Sequence, residues 1–363
     1  MVCEGCWLVQ TEDFATSEDL FQDDYPYFSS TSSTWLAHAR AYSSEIIKKL
    51  RLDNDSLAIE VASNDGYLLR NFVEAGIPCL GIEPTNSTAD TAEKLGIPVL
   101  REFFTESLGI QLRNEGRQAD LIIGNNVYAH VPDINDFTMG LKAVLKQGGT
   151  ISLEFPHIMH LIENCQFDTI YHEHFSYLSL HTVIHIFKEA GLRIWDVEEL
   201  STHGGSLRVY GCHADDRRVN KKSIDSVLEK EKLGGILDLQ SYLNFQGRAE
   251  TIKNALLSFL ISQKSKGKTV VAYGAAAKGN TLLNFAGVKN DLIPFAFDAA
   301  PSKQGKFMPG SHIPILSPHK LGEIRPDNVL ILPWNIADEI KVYLRKFLPC
   351  SSFLTIEPEL NIL

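Results

Sequence analysis

The run DTIYHEHFSYLS occupies residues 168–179 and sets Tyr171, His172, Glu173, His174 and Tyr177 within seven positions. Each of those side chains can donate, accept or move a proton. Three chemistries compete for such a run. As a metal site, His172 and His174 would alternate onto one face of a strand, but the run offers no obvious third and fourth ligand. As a plain polar strand, it would have histidines that are merely hydrogen-bonded by their neighbours. As an acid/base centre, an imidazole that titrates near neutral pH takes a proton while the tyrosine and glutamate orient it or stabilise developing charge. The last reading uses the most groups.

A second set of chemical groups opens at AIEVASNDGYLL, residues 58–69. It reads as strand, loop and helix, and loops at the carboxyl ends of parallel strands are where ligands bind in open α/β sheets. Ala62, Ser63 and Gly66 are small enough to admit a ligand to the backbone, and Asn64 and Asp65 suit a tight turn. Glu83 follows at the tip of the next strand, where a carboxylate can accept from a ribose diol. The phosphate fingerprint G-x-G-x-x-G is absent. Glu60, Asp65 and Glu83 would repel a pyrophosphate but suit a cationic sulfonium and an amino group, so the crevice favours S-adenosylmethionine (SAM) over NAD. Beyond it, Phe103 and Phe104 follow a third short strand and one of them could flank an adenine. Asn125 and Asn126 sit at the tip of a fourth strand, with His130 in the loop beyond.

The elements that must position these groups follow from periodicity. SLAIEVA, PCLGIE, ADLIIGNN and TISLEF read as strands. GYLLRNFVEAG, NSTADTAEKLG and INDFTMGLKAVLKQGG read as helices between them. Apolar runs alternating with amphipathic helices predict a parallel sheet covered on both faces. LRIWDVEEL and GGSLRVYGCHA predict a hairpin closing that sheet through a Thr-His-Gly-Gly turn, and a charged helical stretch spans about 220–266. A second α/β unit begins at KTVVAYGAAAKGNTLLNFAG. Its VVAYGAAAKGNTLL is strand, small-residue turn and helix, and Lys278 beside that helix start makes an anion site. Lys303 lies in the loop after the next strand.

Composition bounds the rest. The 363 residues are 44% hydrophobic, enough for two large domains. A net charge of −11 argues against non-specific binding to nucleic acid or anionic membrane. The N-terminus lacks the pattern of a signal peptide, and six scattered cysteines form no disulfide framework, so a cytoplasmic setting is expected.

Taken in order, EVASNDGYLL, GIEP, NNVYAHVPD, EFPH, DTIYHEHFSYLSL, THGGSLR and YGAAAKGNTLLN carry a resemblance over nearly the whole chain. The sequence resembles the SAM-dependent sugar C-methyltransferases that act on nucleotide-linked 4-keto-6-deoxy sugars. That resemblance implies an α/β fold with three parts. Residues 1–50 would be a small, truncated zinc-binding-type module with a substrate-lid helix. Residues 51–213 would be a class I methyltransferase core, and 214–363 a Rossmann-like domain for the sugar nucleotide. The family's zinc module has two Cys-x-x-Cys pairs, whereas this chain has Cys3 and Cys6 alone. Two thiolates do not fill a tetrahedral site, so no tightly bound zinc is expected.

The resemblance assigns the base to His174, with Tyr171 and Glu173 orienting it or holding the enolate. The expected cofactor set is Glu60, Ala62, Ser63, Asn64, Gly66, Glu83, Phe103, Phe104, Asn125 and Asn126. The expected substrate set is Tyr25, Tyr27, His172, His203, Lys278, Asn280 and Lys303. The only partner expected is a small-molecule nucleotide sugar, with the protein a monomer or homodimer. Methylation of oxygen or nitrogen on a related sugar nucleotide, an NAD-dependent oxidoreductase or epimerase, and a non-catalytic SAM-binding protein are the competing readings.

Overall fold

The structure, a computed structural model, describes residues 1–12, 16, 20, 28–356 and 359–363. It divides into two compact units. The first comprises Met1–Ile158 and His172–Leu237, the second Met159–Tyr171 and Asp238–Leu363. The first unit therefore runs on past residue 213, taking in the helix Lys222–Leu233.

The first unit's strands, numbered along the chain, are β1 (Val9–Gln10), β2 (Ala58–Val61), β3 (Cys79–Ile82), β4 (Val99–Leu100), β5 (Ala119–Asn125), β6 (Leu145–Pro156), β7 (Ser176–Tyr177), β8 (Leu192–Leu200) and β9 (Ser206–His213). Seven form one sheet in the order β4-β3-β2-β5-β6-β9-β8. The run from β4 to β6 is parallel, and the β8–β9 hairpin closes the edge antiparallel. β1 and β7 pair separately as an antiparallel ribbon. Alternation along the strands fills both faces. Ile59 and Ile122 join one apolar cluster, Ala58 and Leu121 another, so no face of the sheet's centre is left to water. The strand order reverses between β2 and β5, and the loops after their carboxyl ends are 62–69 and 126–133.

The second unit's strands are β10 (Val270–Tyr273), β11 (Ala296–Phe297), β12 (Ile315–Leu316), β13 (Asn328–Ile331), β14 (Ser352–Thr355) and β15 (Asn361–Ile362). Their order is β12-β11-β10-β13-β14-β15, parallel except for β15. It too reverses, between β10 and β13. Among the described residues, no helix is long and apolar enough to cross a membrane.

Three expectations are corrected. The helix expected over 66–76 shrinks to Arg70–Glu74, because residues 62–69 are spent on turns of the ligand loop. The helix expected over 134–149 ends at Val144, where Leu145 already pairs with Ala119 and Gly148 takes a φ of 81°. Residues 171–174 form a turn, not a strand. Ladder pairing begins only at Ser176, so His172 and His174 do not share a strand face. The helix Leu180–Glu189, which buries Leu180, Val183, Ile186 and Phe187 and is capped by Ser179, directly follows that run.

Candidate active site

The loop after β2 is built from backbone that few residues adopt. Ala62, Asn64 and Gly66 have φ values of 57°, 50° and 77°. A side chain on Gly66 would also meet Ile97 Cδ1 at 2.5 Å, so this position needs glycine for two reasons. On β3, a Cβ at Gly81 would collide with Ser63 Oγ. Strained loops of this kind persist where the surroundings over-determine them. Here Glu83 does so. Its Oε2 accepts from Asn64 N at 2.9 Å, and its Oε1 accepts from Thr85 N at 3.0 Å and from the Thr85 hydroxyl. From outside, Ser29 N donates to Asn64 Oδ1 (2.9 Å) and Ser30 N to Asp65 Oδ2 (3.1 Å).

What the loop encloses is polar and unanswered. Both carboxylate oxygens of Glu60, Ser63 Oγ, Asp65 Oδ1 and both amide atoms of Asn125 are buried without a partner among the described residues. Buried polar groups are ordinarily satisfied, so a concentration of exceptions marks a place where a ligand completes the bonding. Burial first, then the charges of Asp65 and Glu83, push the Glu60 carboxyl well above its usual range. A cation is what such a site lacks. The sulfonium and amino group of SAM supply cationic charge, and its ribose and amine supply donors, so the residues present fit that cofactor.

Next to the loop stands a cluster of histidines. The His174 ring lies 4.7 Å from His130, edge to face, and Tyr177 lies 6.1 Å beyond it. Burial first, then His174, hold His130 well below the usual imidazole range, while a hydrogen bond to the Glu173 backbone pulls the other way. His130 is thus neutral at physiological pH. His203, at a φ of 53°, contributes to the same field and sits 3.1 Å by Nε2 from the Asn126 amide nitrogen, from which it accepts. His174 itself is set through its backbone. Thr11 Oγ1 donates to His174 O at 2.9 Å, and Phe175 N donates to Ala129 O at 2.9 Å.

Behind the cluster is a network built from residues that sequence reasoning did not single out. Glu154, fully buried on β6, accepts from Arg208 on β9 at 2.6 Å and from the Thr202 hydroxyl at 2.9 Å. It also lies 2.9 Å from His38 Nε2. Burial alone would raise its carboxyl, but hydrogen bonding from His38 and the Arg208 charge outweigh this and hold it below the usual range. Trp35, on the helix Ser33–Leu50, stacks on His38 and meets His203 edge-on, so that helix delivers its first turns here. Glu154 is also the register partner of Asn125.

The second unit presents its own crevice at the reversal point of its sheet. Asp298, at the tip of β11, accepts from Ala275 N (2.7 Å) and from Ala300 N (2.8 Å). Glu83 does the same with the first unit's loop. Lys278 Nζ lies 4.3 Å over the Trp334 ring and 3.4 Å from Asn335 Oδ1. Asn280 Oδ1 is buried without a partner among the described residues. Lys303 Nζ donates to Ala275 O at 2.9 Å, which ties it to the same turn.

The expected site residues thus fall into distinct groups. Glu60, Ala62, Ser63, Asn64, Gly66, Glu83 and Asn125 ring one loop, and Asn126, His130, His174 and His203 form the adjoining cluster. Phe104 is corrected: it is core, edge-on to Phe137 at 5.2 Å, which leaves half-buried Phe103 as the aromatic with an open face. His172 is exposed, and Tyr171 closes the chain segment that belongs to the second unit. Tyr25 and Tyr27 lie outside the described residues. Cys3 and Cys6 sit on the turn before β1. No group of three or more His, Cys, Asp or Glu side chains that could hold a metal ion occurs among the described residues.

Comparison with known proteins adds identity to geometry. Residues 35–197 match a family described as a methyltransferase domain, and residues 201–353 one described as a C-methyltransferase C-terminal domain. The C-methyltransferase NovU of Streptomyces niveus is 34% identical over 348 residues, which is 96% of this chain and 83% of NovU. A SAM-dependent methyltransferase structure from Anabaena variabilis aligns with 48% of this chain and 84% of its own, at 14% identity and a TM-score of 0.40. One from Clostridium acetobutylicum covers 51% of this chain and 92% of its own, at 11% identity and a TM-score of 0.40. With a class I Rossmann-like core, a second α/β unit and a relative this similar along almost its whole length, the chain belongs to the SAM-dependent C-methyltransferases.

Proposed function

We propose that the protein methylates a ring carbon, C-3 by resemblance, next to the C-4 ketone of a nucleotide-linked 4-keto-6-deoxy sugar, for deoxysugar or surface-polysaccharide biosynthesis. The observation that carries this reading is the position of His174 beside a neutral His130, at the same carboxyl end of the sheet as the unanswered polar loop. A saturated ring carbon becomes a nucleophile only when its C–H proton is removed, and a ketone makes that proton acidic by delocalising the carbanion as an enolate. His174 takes the proton. Tyr171 and Glu173 orient the base or donate toward the enolate oxygen, and His203 and His172 contact the sugar. When bound, SAM supplies an activated methyl on a sulfonium. Glu60, Ser63, Asn64 and Asn125 are assigned to hold that cofactor, with Glu83 fixing the loop and Phe103 flanking the adenine. Lys278 and Asn280 are assigned to the nucleoside diphosphate, and Lys303 to fixing the turn that receives it.

The test is mass spectrometry of the purified protein with SAM and a panel of 4-keto-6-deoxy sugar nucleotides. The expected result is a gain of about 14 daltons, the net CH2 added when a methyl replaces a hydrogen on carbon, with the α-hydrogen of the substrate lost. A methylated product that keeps the α-hydrogen would point to an oxygen or nitrogen acceptor and overturn the carbon reading.

A pH dependence follows from Glu60. An acid whose proton is held more tightly in the folded state favours folding fully below the ordinary carboxyl range. That contribution is lost as pH rises through its raised value. The cofactor-free protein is therefore expected to lose melting temperature across that window. SAM should bind more tightly as pH rises through the same window and release a proton on binding, read by calorimetry in two buffers. Glu60→Gln should flatten both curves. A variant that keeps the wild-type slopes removes Glu60 from the cofactor site.

A further inference from the structure

Residues 159–171 leave the first unit, and the chain returns to it at His172, directly through the Tyr-His-Glu-His run. One buried carboxylate grips both ends of that excursion. On the departing side, His157 is buried and its Nε2 lies 2.8 Å from Glu231 Oε1. On the returning side, Leu180 N donates to Oε1 at 2.5 Å and His181 N donates to Oε2 at 2.9 Å. The base of the loop is zipped by backbone as well. His157 N donates to Gly205 O and Ile158 N to Leu178 O, both at 3.0 Å. Glu231 itself, on the helix Lys222–Leu233, is 1% exposed.

An anion at the start of the helix Leu180–Glu189 has an ordinary explanation, since the first N–H groups of a helix need acceptors. Ser179 already meets part of that need by accepting from Thr182 N. A helix cap, however, needs no partner at residue 157. Burying a carboxylate against an imidazole from the far end of the loop costs desolvation that a solvent-facing cap would avoid. The added partner joins the two ends. Holding them together fixes where the returning strand β7 begins, and with it the backbone of His174, three residues before Tyr177.

We propose that Glu231 is a positioning residue for methyl transfer, clamping His157 to the start of the Leu180–Glu189 helix so that His174 keeps its place beside His130. The clamp rests on the reading of His174 as the base.

The test uses the full-length protein with three variants. Glu231→Gln keeps the volume but cannot accept from both helix N–H groups and His157 together. His157→Leu removes the far end of the clamp and leaves the helix start capped. Val183→Ala thins the packing of the same helix and touches neither end. For Glu231→Gln and His157→Leu, kcat and α-proton exchange are expected to fall together by about 10- to 100-fold, the scale for a group misplaced by about an ångström. SAM affinity should be unchanged, and His157→Gln, which retains a donor, should recover much of the rate. Val183→Ala should lose melting temperature without that loss of kcat. If Glu231→Gln and His157→Leu slow exchange no more than Val183→Ala does, Glu231 is a helix cap and nothing else. If either weakens SAM in parallel with kcat, the effect is a general loosening and the proposal fails. Should His174→Ala still exchange the proton while the clamp variants do not, the base assignment fails and the clamp survives as a property of the loop.

Discussion

His174→Ala is expected to abolish methyl transfer and to stop exchange of the sugar's α-proton with deuterated water, while SAM binding survives. The histidine acts on carbon acidity, and its surroundings argue for a base: a neutral imidazole beside it and a backbone fixed by Thr11. Loss of a general base costs about 10²–10⁴-fold. A drop of only a few-fold would mean that the ring is scaffold. Tyr171→Phe and Glu173→Gln should be slowed but active, because orientation and enolate stabilisation are graded effects. If chelation removed activity and zinc restored it, the run would be a metal site after all. Unchanged exchange in His174→Ala would move the base to His130 or Tyr171.

Much of the fold was legible because the signals were local. The strands around Ile59, Leu80 and Ile122 are short apolar runs between turn residues, and the hairpin read from LRIWDVEEL and GGSLRVYGCHA spans β8 and β9 as found. Where the reading missed, a local preference lost to a tertiary demand. GYLLRNFVEAG has helical periodicity, yet its first residues are turned to build the ligand loop and only Arg70–Glu74 remain helical. The alternation of His172 and His174 suggested a strand, but the chain turns there and joins a ladder only from Ser176.

The site was legible as a set of loops, not as a network. Glu60, Glu83 and the His174 run announce themselves by type and position. His38, Arg208 and Glu231 do not, since each acts through a partner 50 to 170 positions away. A usable signal was present nonetheless. Glu154 lies in TISLEF and Arg208 in SLRVY, single opposite charges inside apolar strands of neighbouring position. Charges are almost never buried alone, so two such strands predict an ion pair across them.

That pair carries the second large effect. Glu154→Ala is expected to destabilise the protein by about 3–5 kcal/mol, because Arg208 would stay buried with its principal counter-charge gone. Arg208 is 3% exposed, and its remaining carboxylate, Glu198, is 3.5 Å away and partly in water. Replacing both members with apolar residues, Glu154→Leu with Arg208→Met, should restore most of the melting temperature, since a buried pair exchanged for packing is often neutral or better. Activity should not return with it. Thr202 would still lack its acceptor and His203 its footing, so a stable double variant that remains slow would separate the network's work on the site from its work on the fold. The acid limb should change as well. Glu154 titrates below its usual range, so its contribution is present above the ordinary carboxyl range and is lost as pH falls through its lowered value. The double variant should lack that part of the wild-type loss of stability in acid. A single variant that costs under about 1 kcal/mol, the scale of an exposed ion pair, would mean that water reaches Arg208 and that the pair is no buried charge at all.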